Sequence, residues 1–322
     1  MNLQNKTLPA NIIFFGTSEF AIPVLEELLK NNIQPVLVVT TPDKPSGRGK
    51  KLTPSFVKIY CSSHKLALIT PDDLKSEEIL NTLKKTDPDI FVIASYGKII
   101  PSSLLQIPKK GTLNVHPSLL PKYRGPSPIQ SAIMSGDTIT GVTIMLTDEQ
   151  MDHGPILKKA EYKIGPKTTT KYLKKNLAEL GGRILVETIQ DRLEENTKPK
   201  EQDHASATFT KKISKKDGHL NWSGDADIIE KKIRALNPWP GTYCFWETNG
   251  KQTRLIITEA EVADYDHHDR APGTVFKTEG EIGVVTGKNA IIIKKIKPEG
   301  RNEMTAENFL RGHPDIEGSQ LK

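Results

Sequence analysis

The sequence predicts an α/β domain on a doubly wound, mostly parallel sheet, joined to a smaller all-β domain. Three observations carry this expectation. Over the first 190 residues, short apolar runs alternate with apolar residues at helical spacing. A polar stretch without apolar periodicity follows at 191–204 (DRLEENTKPKEQDH). Beyond it come short strand-like runs separated by turn signals, with a single helix ahead of them. A chain of 322 residues is long enough for two cores. The domains are placed at 1–190 and 208–322, with a linker at 191–207.

Residues 11–16 (NIIFFG) read as a buried strand ending in glycine. Ser18 is placed to cap a helix in which Phe20, Val24, Leu25 and Leu28 recur. Residues 35–41 (PVLVVTT) are β-branched and continuous, as in a strand buried on both faces. Helices are expected at 55–64 and 76–85, and strands at 67–69, 89–94, 113–116 and 141–146. A long helix at 168–190 closes this Rossmann-like domain. In the second domain a helix at 226–236 precedes strands at 241–246, 253–257, 273–276, 283–286 and 290–296. Asn249-Gly250 and Ala271-Pro272-Gly273 mark turns between them. Five short strands suggest a small, OB-like barrel. Trp239, Phe245 and Trp246 are expected in its core.

Composition excludes several classes. Hydrophobic residues at 36% and charged residues at 26% fit a folded soluble chain, not wholesale disorder. The longest apolar runs, 11–15 and 290–293, are far below membrane-span length. Residues 1–11 have neither a secretory nor an organellar pattern, so a cytoplasmic protein is expected. Cys61 and Cys244 have no ligand spacing, so no metal is expected, and no repeat or heptad argues for more than a monomer. The turn Gly16-Thr17-Ser18-Glu19-Phe20 has one glycine, and Glu19 would repel a phosphate there; both argue against a dinucleotide cofactor.

The net charge is +6, and its excess lies in residues 1–200, with 27 Lys+Arg against 20 Asp+Glu. Segment 40–58 holds five basic residues and one acid. By charge alone it is equally a solvated loop or a contact for phosphates.

The segment richest in chemistry runs from Asn114 through His116, Ser118 and Pro121 to Gly125 (NVHPSLLPKYRG). On a strand, Asn114 and His116 face the same side. They sit at its carboxyl end, where open α/β sheets bind ligands. The turn Asp152-His153-Gly154-Pro155 follows the next strand, its carboxylate 36 residues beyond His116. Residue types alone leave a structural and a catalytic role for the Asn-x-His pair equally open.

Together these motifs resemble the folate-dependent formyltransferase family. The resemblance implies that Asn114, His116 and Asp152 are catalytic. Asn114 would donate to a developing oxyanion and His116 would handle a proton. Asp152 would orient the imidazole, or take the proton itself through a water; both remain open. It further implies that Ser118, Leu119, Leu120 and Pro121, with Tyr96 and Gly97, bind 10-formyltetrahydrofolate, and that no metal takes part. Segment 42–52 looks like a mobile tRNA-contacting loop, with Arg48, Lys50 and Lys51 as its cations. Residues 233–240 (IRALNPWP) look like the opening of the barrel-like, tRNA-binding domain of the branch whose acceptor is initiator methionyl-tRNA. A small-molecule amine, on an amino-sugar nucleotide or glycinamide ribonucleotide, is the alternative acceptor.

Overall fold

The computed structural model describes residues 10–46, 49, 51–248, 250–266 and 270–322. It divides into two compact units. The first holds Met1–Pro128, Ile139–Lys163 and Lys174–Thr210; the second holds Ile129–Thr138, Ile164–Leu173 and Lys211–Lys322. Two short pieces that precede residue 191 in sequence thus belong to the second unit.

The first unit begins with β1 (Ile12–Gly16), α1 (Ala21–Lys30) and β2 (Leu37–Val39), then β3 (Lys44–Ser46) and β4 (Lys51–Thr53). It continues with α2 (Phe56–His64), β5 (Leu68–Ile69), α3 (Glu77–Lys85), β6 (Ile90–Ala94), α4 (Ser102–Leu105) and β7 (Thr112–His116). Next along the chain are α5 (Pro128–Ser135), which from Ile129 belongs to the second unit, then β8 (Ile139–Leu146), β9 (Ile156–Lys163) and α6 (Thr170–Leu193), which belongs to the first unit from Lys174. Seven strands form one sheet in the order β5-β2-β1-β6-β7-β8-β9. Pairing is parallel from β5 through β7 and antiparallel at β7–β8 and β8–β9.

Every residue of β1 is buried, as befits a central strand covered on both faces. Helix α1 buries Ala21, Val24, Leu25 and Leu28, a stripe at i, i+3, i+4 and i+7. Its start differs from the expectation for Ser18. The helix begins at Ala21, and the Ser18 hydroxyl accepts from Phe20 N–H at 3.2 Å while donating to Ser95 Oγ at 2.7 Å. Ser55 and Ser76 do cap α2 and α3, accepting from Lys58 N–H and Ile79 N–H.

The second unit runs α7 (Ala226–Leu236), β10 (Thr242–Thr248), β11 (Lys251–Ala263), β12 (Val275–Thr278), β13 (Glu281–Val285), β14 (Ala290–Pro298), β15 (Met304–Thr305) and α8 (Ala306–Gly312). The antiparallel order is β10-β11-β14-β13-β12, with β15 on β14. Strands β10 and β12 are its two edges, and residues 318–322 pair with both. Val275 exchanges bonds with Gly318 and Ser319 at 2.9 Å each, and Phe245 exchanges bonds of 2.7 and 2.9 Å with Lys322. The sheet is thereby drawn into a small barrel. Its core includes Trp246 and the buried stripe of α7. Trp239 departs from expectation, standing 53% exposed instead of packing in that core.

Candidate active site

Strand β7 carries Asn114 and His116 to the carboxyl end of the parallel run, and both side chains reach Asp152. The Asn114 amide donates from Nδ2 to Asp152 Oδ1 at 3.2 Å. His116 Nδ1 lies 3.4 Å from the same oxygen, with the imidazole nearly fully buried. The second carboxylate oxygen accepts from the Gly125 N–H at 2.7 Å. His116 Nε2 is 3.0 Å from the Tyr123 carbonyl. A carbonyl only accepts, so Nε2 carries a hydrogen whether the ring is neutral or charged, and Nδ1, facing Asp152, is where the ring takes a second proton.

Backbone shape makes this convergence possible. Asp152 sits at φ +51° and Tyr123 at +61°, in the left-handed region that side chains seldom occupy. Gly125 has φ +110°, and a Cβ there would lie 2.9 Å from the Thr210 carbonyl oxygen. At Gly154 a Cβ would fall 2.0 Å from the Leu146 carbonyl oxygen. Only glycine lets the Asp152 turn lie this close to the end of β8.

The loop after His116 is cross-braced. Ser118 is fully buried; its hydroxyl donates to the Lys122 carbonyl at 2.6 Å. Thr143 Oγ1 donates to the Ser118 carbonyl at 2.7 Å and accepts from Leu120 N–H at 3.1 Å. Lys159 donates to the Leu120 carbonyl, and burial lowers the pKa of its ammonium. Leu120 is buried, whereas Leu119 and Pro121 are partly exposed. Tyr96 is 1% exposed, its ring edge-on to Phe15 at 5.5 Å and its carbonyl accepting from the Thr17 hydroxyl at 2.6 Å. Gly97 is exposed, with no atom within 4 Å of where a Cβ would stand.

Of the basic segment, Lys44–Ser46 pairs with Lys51–Thr53 as a short hairpin, and Lys51 is exposed. Lys58 ties its base to Asp43 at 2.8 Å. Arg48 and Lys50 lie outside the described residues. Among the described residues no cluster of three or more His, Cys, Asp or Glu could hold a metal ion. Nor is any helix among them long and apolar enough to cross a membrane.

Sequence reasoning missed one part of the site. Arg124 is buried, and its Nε and Nη2 donate to Gln202 Oε1 at 3.2 and 2.8 Å. Nη2 also lies 2.8 Å from His204 Nδ1. Gln202 Nε2 donates to the carbonyls of Asp152 at 2.9 Å and Gly154 at 2.7 Å. No compositional signal marks a lone glutamine in a polar stretch; the arginine in the Tyr-Arg-Gly turn was the only hint.

Two family models together match most of the chain: formyl transferase over residues 10–189, and formyl transferase, C-terminal domain, over residues 212–314. The chain belongs to the formyl transferase family. It is 42% identical over 312 residues to a methionyl-tRNA formyltransferase of Desulfotalea psychrophila, covering 96% of this chain and 95% of that one. It is 41% identical over 307 residues to the same enzyme of Chloroflexus aurantiacus, covering 94% and 97%. A solved structure of HypX from Aquifex aeolicus, in complex with tetrahydrofolic acid, has a similar fold. The TM-score there is 0.63 at 17% identity, over 94% of this chain and 47% of that one.

Proposed function

We propose that this member of the family transfers the formyl group of 10-formyltetrahydrofolate to the free amine of initiator methionyl-tRNA, giving formylmethionyl-tRNA for translation initiation. The observation that carries the reading is the meeting of Asn114 and His116 on one oxygen of Asp152. The tRNA acceptor is favoured over a small amine by relatives of that name at about 40% identity over nearly the whole chain.

The donor supplies an activated formyl carbon bound to a folate nitrogen. The α-amine of the acceptor, with an ordinary pKa of about 8, is partly neutral near pH 7.5 and attacks that carbon. Asn114 spends one amide hydrogen on Asp152; the other stabilises the oxyanion, an effect worth about 10²–10³ in rate. The His116–Asp152 pair takes the proton that the amine releases. With Nε2 committed to Tyr123, the imidazole receives it at Nδ1, where Asp152 shares it. Collapse of the tetrahedral adduct breaks the bond to the folate nitrogen, which takes that proton from the His116–Asp152 pair as it leaves.

The exposed faces of Leu119 and Pro121 and the open space at Gly97 suit a flat, part-apolar ligand, and the folate is assigned there. Ser118 and Leu120 shape the loop from within, and buried Tyr96 supports the exposed Gly97 beside it. Arg48, Lys50 and Lys51 meet tRNA phosphates, assisted by the second unit, where residues 211–257 carry nine basic against five acidic side chains. The enzyme works as a cytoplasmic monomer.

The test is formylation of methionyl-tRNA by purified protein, beside His116→Ala. Rapid transfer lost in the variant supports reaction and site together. Formyl release to water or to a small amine, with none to tRNA, removes the acceptor assignment.

A further inference from the structure

We infer that Gln202, oriented by Arg124, is a positioning residue that holds the Asp152 carboxylate in its reactive place. The inference rests on the proposed reaction and adds a residue to it. Asp152 occupies a left-handed backbone conformation, which for a non-glycine residue is held only when its surroundings over-determine it. Among the described side chains, Gln202 does this by bridging the turn, donating to the carbonyls of both Asp152 and Gly154.

The glutamine has one orientation that satisfies its neighbours. Its oxygen faces two guanidinium N–H groups and its nitrogen faces two carbonyls; turned over, donors would meet donors and acceptors acceptors. Arg124 is itself pinned by its backbone, donating to the Thr208 carbonyl and accepting from Thr210 N–H, each at 2.8 Å. The next residue, Gly125, returns its N–H to Asp152 Oδ2. The result is a closed ring: carboxylate to Gly125, Gly125 to Arg124, guanidinium to Gln202, amide to the carbonyl of Asp152. Gln202 is 5% exposed, so water does not substitute for its bonds. A packing role alone would be served by an apolar side chain of the same length, with no donor aimed at the turn.

Gln202→Glu divides the two functions of the amide. The carboxylate keeps the oxygen that Arg124 grips and loses the hydrogens that the turn needs. The expected result is kcat lowered about 10- to 100-fold, as a displacement of about 1 Å at a reacting group produces. KM for both substrates should stay within about twofold, while the unfolding midpoint falls because two buried carbonyls lose their donor. The Gly125 amide, measured by hydrogen exchange, should exchange about tenfold faster, since loosening the turn frees its acceptor. Arg124→Lys keeps the charge but removes the planar fork; it should show the same pattern and serves if the glutamate variant does not fold. Wild-type kcat in a folded variant, or loss of kcat with Gly125 protection unchanged, overturns the inference. The exchange readout needs no substrate. A wild type inactive on methionyl-tRNA would therefore sink the acceptor assignment while leaving the positioning role decided by Gly125 alone.

Discussion

Asn114 and His116 share a single oxygen of Asp152, at 3.2 and 3.4 Å, while the other oxygen is taken by the Gly125 N–H. Among the described residues, Asn114 and Gly125 donate N–H groups to opposite oxygens of this carboxylate, and an amide in its place would turn its own NH2 onto one of those donors. Asp152→Asn should therefore lower kcat by about 10²–10⁴ with KM changed little, the magnitude of lost proton transfer. Single-turnover formylation at saturating tRNA measures it. A variant within about threefold of wild type would take Asp152 out of the proton's path.

The hydroxyl of Tyr96 is buried without a hydrogen-bond partner among the described residues, and burial pushes its pKa from 10 up to about 12. Between those values the native state keeps a proton that the unfolded chain releases, so stability should fall as pH rises from 10 towards 12. Tyr96→Phe should abolish that part of the decline. At neutral pH it should stabilise by about 1 kcal/mol, because an orphaned polar atom is removed. Urea unfolding at several pH values tests both. A raised KM for the formyl donor in the variant would instead give the hydroxyl to the folate.

Both cysteines are fully buried, and burial pushes Cys61 to about 11 and Cys244 to about 12. Thiolates are the reactive species, so at pH 8 a disulfide reagent should label neither in the native enzyme and both in guanidinium. Rapid native labelling of either thiol would contradict its placement.

Arg48→Leu should lower kcat/KM for methionyl-tRNA by about tenfold. It should also flatten the dependence of log affinity on log salt by about 0.9, one phosphate contact. Titration across 50 to 200 mM salt distinguishes this from a change in chemistry. An unaltered slope would remove Arg48 from the phosphate contacts.

Where local pattern and tertiary environment agree, the fold is legible in advance. The run at β1, the α1 stripe and the helix at α7 all bury the residues that their periodicity marks. The antiparallel β9 was not legible, since its exposed alternation (ILKKAEYK) is weakly apolar and its partner β8 looks like one more parallel strand. Trp239 was misplaced because hydrophobicity alone argues for burial, whereas it stands between two prolines at the surface. At the site, type and spacing single out Asn114 and His116 but leave their role open; the family resemblance supplies that role and adds Asp152. Tyr123 and Gly125 act through backbone atoms, which residue identity does not reveal, and Gln202 lies 48 residues beyond the Gly154 carbonyl to which it donates.

The lacing of residues 318–322 across β10 and β12 has a practical side. Those five residues cover two rows of backbone donors and acceptors that would otherwise be free to recruit strands from other molecules. Proteolytic trimming here would yield a sticky, self-associating species with its catalytic residues untouched. Lys322 has both its N–H and its carbonyl engaged with Phe245, so this single residue holds one of those two rows shut.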